Sequence, residues 1–174
     1  LAIQFIKKSA LIADSISFIL PKSFKKDSMQ KHFPPRFHLI FQSEIAPNSF
    51  LQDDKQVDVP CVFQIWQKMC KDRVIAAKLE TDPNLYAFVK QDEDPDISFR
   101  RVGVNAGAIT SNKEDIQEKS IQSHYFVKFG FIEDEEKTDL IAKLKGIVYD
   151  TDNTVGPKSI GKQEIIRGFN KIFC

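Results

Sequence analysis

Ile16-Ser17-Phe18-Ile19-Leu20-Pro21-Lys22-Ser23-Phe24 is the stretch on which the reading of this chain turns. Its first part is rich in β-branched and aromatic side chains and is closed by a proline, the pattern of a buried strand. Just upstream, Leu1 to Ala13 sets Ile3, Ile6, Ala10 and Ala13 at helical spacing with Lys7 and Lys8 on the other side. That spacing predicts an amphipathic helix, ended by Asp14 and Ser15. A helix feeding a strand in this way is half of a right-handed crossover unit.

Downstream, a short helix is predicted over Lys25 to His32. Pro34 and Pro35 stop it, because proline lacks the amide hydrogen that a helix interior uses. Arg36 to Gln42 and Val59 to Gln67 read as two further strands. Pro47, Asn48 and the polar Gln52 to Gln56 form the loop that makes them an antiparallel pair. From Arg73 the texture changes to short β-prone segments: Arg73 to Leu79, Leu85 to Lys90, Ile97 to Val104 and Ile121 to Phe129. Asp82-Pro83-Asn84, Asp92 to Asp96 and Asn105-Ala106-Gly107 separate them. Two helices follow, over Glu135 to Lys145 with Asp134 as candidate cap, and over Lys162 to Phe173. The boundary between the two textures is placed near Met69 to Arg73.

At 174 residues, with 42% hydrophobic and 28% charged side chains, the composition is that of a folded chain and not of a disordered tail. No apolar run approaches the roughly 20 residues of a membrane-spanning helix. Cys61, Cys70 and Cys174 follow neither a disulfide framework nor a metal-ligand spacing, which suits a reduced, cytoplasmic protein. The formal net charge of +1 hides an asymmetry: residues 1 to 73 carry 11 basic and 7 acidic side chains, residues 74 to 174 carry 14 and 17. The basic excess suits a phosphate backbone and equally suits a solvated face. Asp53-Asp54 and Asp150-Thr151-Asp152 read as turns, without the lysine of a nuclease constellation.

Phe18-Ile19-Leu20-Pro21-Lys22-Ser23-Phe24, followed at a distance by Val59-Pro60-Cys61-Val62-Phe63-Gln64-Ile65-Trp66, resembles the catalytic half of adenine-specific (amino-group) DNA methyltransferases. The resemblance covers roughly residues 1–70. It implies an α/β fold: a partial Rossmann-like methyltransferase sheet, its last strands mixed in direction, followed by a smaller α+β unit over 71–174 that suits target recognition. On this resemblance Ile16 to Leu20 is the fifth, inner strand of the sheet. The catalytic Asn-Pro-Pro-Phe-like tetrapeptide would lie upstream of Leu1, so that no catalytic residue falls within the chain.

The resemblance further places Phe50, on the connection between the last two strands, where the family packs an aromatic ring on the extruded adenine. Pro21, Lys22, Ser23 and Phe24 fall at the ligand crevice beyond the carboxyl end of a strand. As an alternative, Phe50 is a core residue and Ser23 a helix cap. Lys25, Lys26, Arg100, Arg101 and Lys158 are candidates for DNA phosphates. The implied cofactor is S-adenosylmethionine, yet no glycine precedes Gly103 and no glycine-rich loop is present, so the isolated chain is expected to be inactive. DNA is the implied partner, in a modification or restriction-modification system, and an unpaired sheet edge would favour a homo-oligomer. The competing reading is a non-enzymatic module that binds nucleic acid or protein. Gly103 and Gly107 point to tight turns, and His124 to a hydrogen-bonded sheet residue.

Overall fold

Ile6 lies at the centre of the first helix, α1 (Ala2–Ile12), and is fully buried, with Ile3 and Ala10 packed beside it. The computed structural model describes residues 1–130, 133–150, 154 and 156–173. Thr151 and Asp152 of the second acidic turn, and Cys174, lie outside them. The chain divides into two compact units, one built on Leu1–Ala77 with Asn153–Gly156 and the other on Lys78–Asp152 with Pro157–Cys174.

In the first unit α1 leads into β1 (Ser15–Pro21), a 3-10 turn (Lys22–Lys25) and α2 (Asp27–Gln30). Then come β2 (Phe37–Glu44), a small ribbon of β3 (Phe50–Gln52) and β4 (Lys55–Val57), and β5 (Cys61–Lys68). The last strand, β5, lies between β1 and β2 and is antiparallel to both, with Leu20 opposite Val62 and Leu39 opposite Trp66. β1 and β2 therefore run in the same direction. Alternation along the strands decides which face is covered: Ile16, Leu20, Val62 and Trp66 are buried with Phe24, Phe33 and Phe37. The opposite face carries Ile19 and Phe41, each about half exposed.

The fold is thus mixed α/β, and every strand pairing among the described residues is antiparallel. Among the described residues β1 has one neighbour, β5, and stands at the edge of its sheet, the unpaired edge expected of it in this chain. A parallel neighbour requires a crossover connection, and no described segment supplies one. The helix expected over Lys25 to His32 shortens to the 3-10 turn and a single turn of α2. The expected loop between the paired strands contains the β3–β4 hairpin, whose two-residue turn puts Asp53 and Asp54 at φ 49° and 59°.

The second unit has a four-stranded antiparallel sheet in the order β6-β9-β7-β8. Its strands are β6 (Tyr86–Val89), β7 (Ile97–Arg100), β8 (Ile109–Thr110) and β9 (His124–Phe129), with the short α3 (Lys113–Gln117) between the last two. Two helices complete it, α4 (Asp134–Lys145) and α5 (Lys162–Phe173). Ile165 and Phe169 of α5 and Leu144 of α4 close over Tyr86, Ile97, Phe99 and Val127. Arg73 to Leu79, read as a strand, pairs with nothing regular, and Val74 is 97% exposed. The cap position of α4 falls on Glu133 and not on Asp134, and it makes no side-chain cap hydrogen bond. Gly103 and Gly107 do adopt the left-handed region, at φ 100° and 101°.

Candidate functional site

The carboxyl end of β1 is where the first unit gathers its polar side chains. Pro21 ends the strand opposite Cys61, and the Lys22 amide donates to the Pro60 carbonyl at 3.1 Å. On the other side of β5 the Ile45 amide donates to the Cys61 carbonyl, also at 3.1 Å. The β3–β4 ribbon grows from between these two anchors. Phe50 sits at its foot opposite Val57, half-buried, while the Asp53-Asp54 turn forms its tip.

Below the turn, Gln64 is fully buried in the central strand and acts as a three-way tie. Its amide nitrogen donates to the Phe24 carbonyl at 3.1 Å and to Gln42 Oε1 at 2.8 Å. Its oxygen accepts the Trp66 indole N–H at 3.0 Å. A buried amide carries a heavy desolvation cost unless donors and acceptor are all used, and here each is. The exit turn is consequently fixed to the sheet from beneath. Phe24, only 2% exposed, contributes its ring to the core and its carbonyl to this network.

Ser23 does not cap a helix. It lies inside the 3-10 turn, where its carbonyl accepts the Lys26 amide at 3.0 Å, and the cap position of α2 is Lys26, without a side-chain cap bond. Lys22 and Lys25 converge on one carboxylate: Lys22 Nζ is 3.2 Å from Glu44 Oε2 and Lys25 Nζ is 2.7 Å from Oε1. Lys25, read from the sequence as a phosphate ligand, and Lys22, placed at the ligand crevice, already share an acidic partner at the end of β2. A phosphate would have to compete with it.

The two lysines hold the Glu44 carboxyl below its ordinary value of 4.5, the hydrogen bond from Lys25 contributing most. A carboxyl depressed in the folded state adds stability that is complete above 4.5 and is lost as pH falls through the lower folded value. Carbon-detected NMR titration is expected to place the Glu44 midpoint below 4.5, and Lys25→Ala is expected to raise it. A midpoint indifferent to Lys25→Ala would show that the clamp does not form.

Lys26 stands at the cap position of α2, and the other basic candidates, Arg100, Arg101 and Lys158, lie in the second unit. Arg100 ends β7 with its Nε donating to the Val102 carbonyl at 3.2 Å. Arg101 donates through Nη2 to the Gln122 carbonyl at 2.6 Å and lies over the Tyr125 ring. The exposed Lys158 is tied to them through the backbone, since its carbonyl accepts the Gly103 amide at 2.9 Å. His124 opens β9, almost fully buried, with Nδ1 at 3.1 Å from the Ser120 carbonyl and 3.0 Å from Ser123 Oγ. Burial, before anything else, pushes its pKa down, so the ring is neutral at pH 7.

Sequence reasoning passes over Gln64, Glu44 and Arg73. Gln64 had a visible signal, a polar residue at an inward position of an apolar strand. Arg73 had none: its guanidinium donates to the carbonyls of Gln30 and Phe33, at 2.8 and 3.0 Å, and lies over Trp66. No glycine precedes Gly103, so residues 1–102 have no glycine-rich loop able to bring backbone amides close to a methyl donor in the manner of the family; S-adenosylmethionine does not fit these residues. Compared with family models, with curated proteins and with solved structures, the chain matches none.

Proposed function

We propose that this chain is the base-holding part of an adenine-specific DNA methyltransferase, in a modification or restriction-modification system. The first unit is read as the end of the Rossmann-like methyltransferase sheet and the second as a candidate target-recognition unit. One observation carries the proposal. In the two stretches on which the resemblance rests, Phe18 to Pro21 pair with Gln64 to Cys61, and the Lys22 amide bonded to Pro60 joins the exit turn of one to the start of the other. Phe50 stands at the foot of the ribbon that leaves the same end of the sheet. A phenylalanine there offers a flat face for an extruded adenine without competing hydrogen bonds. Gln64 positions the turn by holding the Phe24 carbonyl. On this reading the methyl donor and the catalytic tetrapeptide are supplied by residues outside the chain.

The test is transfer of labelled methyl from S-adenosylmethionine to unmethylated plasmid DNA by the full-length polypeptide. Label is expected in the DNA. Phe50→Ala is expected to lower kcat/KM by about tenfold to a hundredfold, the loss of one base–aromatic stack. DNA that stays unlabelled, or a Phe50→Ala enzyme as fast as the parent, would overturn the reading.

The same reading gives the free edge of β1 a neighbouring strand. Ser15 to Leu20 carries no charge, and no proline until Pro21, so nothing on the strand discourages pairing. The isolated chain is expected to self-associate through it, with a mass in sedimentation equilibrium that rises with concentration, and Ser17→Lys is expected to return it to monomer. A monomeric mass at every concentration would count against a sticky edge.

A further inference from the structure

The second unit carries a cleft of about 720 Å³ that the methyltransferase reading leaves unused. Its floor is aromatic: Phe88 of β6 and Tyr125 of β9 meet edge to face, with ring centroids 5.6 Å apart. A cation lies over each ring. Lys162 Nζ, at the start of α5, is 4.2 Å from the Phe88 centroid, and the Arg101 guanidinium carbon is 5.5 Å from that of Tyr125. His124 also lines the cleft, as do the carboxylates of Asp92 and Glu93. Its Nδ1 sits at hydrogen-bond distance from the Ser120 carbonyl, an acceptor only, so Nδ1 carries the proton and Nε2 keeps a lone pair.

We propose that this cleft binds a nucleotide, its base stacked on Phe88 and its phosphate held by Lys162. Flat aromatic faces flanked by cations are the combination that grips nucleic-acid bases without regard to their edges. Lys162 is exposed, and a solvated ammonium over a phenyl ring is held more weakly than a stacked base. A base therefore displaces Lys162 from the ring and leaves its charge beside the phosphate. The neutral His124 Nε2 is an acceptor suited to the exocyclic amino group of adenine or cytosine. The proposal stands on the second unit alone, and neither success nor failure of methyl transfer decides it.

The test titrates the 174-residue chain with two probes, a short fluorescein-labelled oligodeoxyadenylate followed by anisotropy and adenosine 5′-monophosphate as competitor, while the His124 imidazole is watched by NMR. Displacement of the oligonucleotide by the monophosphate assigns a free nucleotide. Tight binding of the oligonucleotide that the monophosphate cannot reverse assigns a nucleotide within a strand; either result supports the cleft when the His124 resonances move. Lys162→Ala, at an exposed position where folding is untouched, and Phe88→Leu are each expected to weaken binding about tenfold or more. Lys145→Ala, on α4, is expected to leave it unchanged. Failure of both probes to bind at millimolar concentration, equal affinity of the parent and Lys162→Ala, or binding that leaves His124 unmoved would overturn the proposal.

Discussion

Trp66→Ala is expected to lower the stability of the first unit by about 3–5 kcal/mol, the range for removing a large aromatic from a packed core. Trp66 is 1% exposed. Phe33 stacks on it, with ring centroids 3.8 Å apart and planes 11° from parallel. Arg73 lies over it at 5.5 Å, and the indole N–H is spent on Gln64. Alanine would leave a cavity beside Phe33, Arg73 without its aromatic platform and a buried Gln64 oxygen without its donor. The last of these alone costs about 1–3 kcal/mol. Trp66→Phe separates the terms, since it keeps most of the ring volume and removes only the donor. Urea unfolding followed by circular dichroism measures both. A Trp66→Ala midpoint within error of the parent would mean that Trp66 is not the keystone of this core.

Gly130→Ala is expected to destabilise the second unit by about 3 kcal/mol, the upper end of the usual cost of overpacking. Gly130 follows β9 directly, and its amide donates to the Leu85 carbonyl at 2.8 Å. A Cβ at this position would lie 1.8 Å from the Asn84 carbonyl oxygen and 2.5 Å from its carbon. Both are backbone atoms, and the turn that holds them is itself tied, with the Asn84 amide donating to Asp82 Oδ1 at 2.9 Å. No side chain can rotate out of the way, so relief comes only by parting the end of β6 from β9. Gly156→Ala is the control for a glycine in open space, because nothing lies within 4 Å of its Cβ position, though its φ of 94° carries a backbone strain of its own. Thermal unfolding of Gly130→Ala with an unchanged midpoint would show that the Asn84 turn does not approach Gly130 this closely.

Helix α5 was legible to the residue, because Ile165, Ile166 and Phe169 recur on one face of an otherwise polar segment. The strands β1, β5 and β9 were legible for a comparable reason, since apolar runs bounded by turn formers have few other readings. What escaped notice depended on partners far away in the chain. Val74 and Ile75 carry strand propensity, yet no edge accepts them, and propensity without a cross-strand neighbour makes no strand. The β3–β4 hairpin was missed because its turn is Asp53-Asp54, where the left-handed backbone is adopted without the glycine that ordinarily signals it. Helix α3 was missed because it is only five residues long, although Asn112 caps it by accepting from the Glu114 and Asp115 amides.

The candidate site divides along the same line. Pro21 to Phe24 and Val59 to Trp66 stand out as strings, and the structure sets them side by side. The Glu44 clamp on Lys22 and Lys25 joins residues about twenty positions apart, and nothing in the local sequence of either announces the other. Lys25, a candidate phosphate ligand in the sequence, and Lys22, at the expected ligand crevice, are ion-paired in the fold.

The proposed methyl transfer to adenine is tested most directly by the modified base it would leave in DNA. Plasmid DNA incubated with the full-length polypeptide and S-adenosylmethionine, then digested to nucleosides and analysed by mass spectrometry, should contain N6-methyldeoxyadenosine. Methyl groups found on cytosine, or nucleosides left unmodified, would contradict a base-holding role for Phe50 and the turn at Pro21 to Phe24.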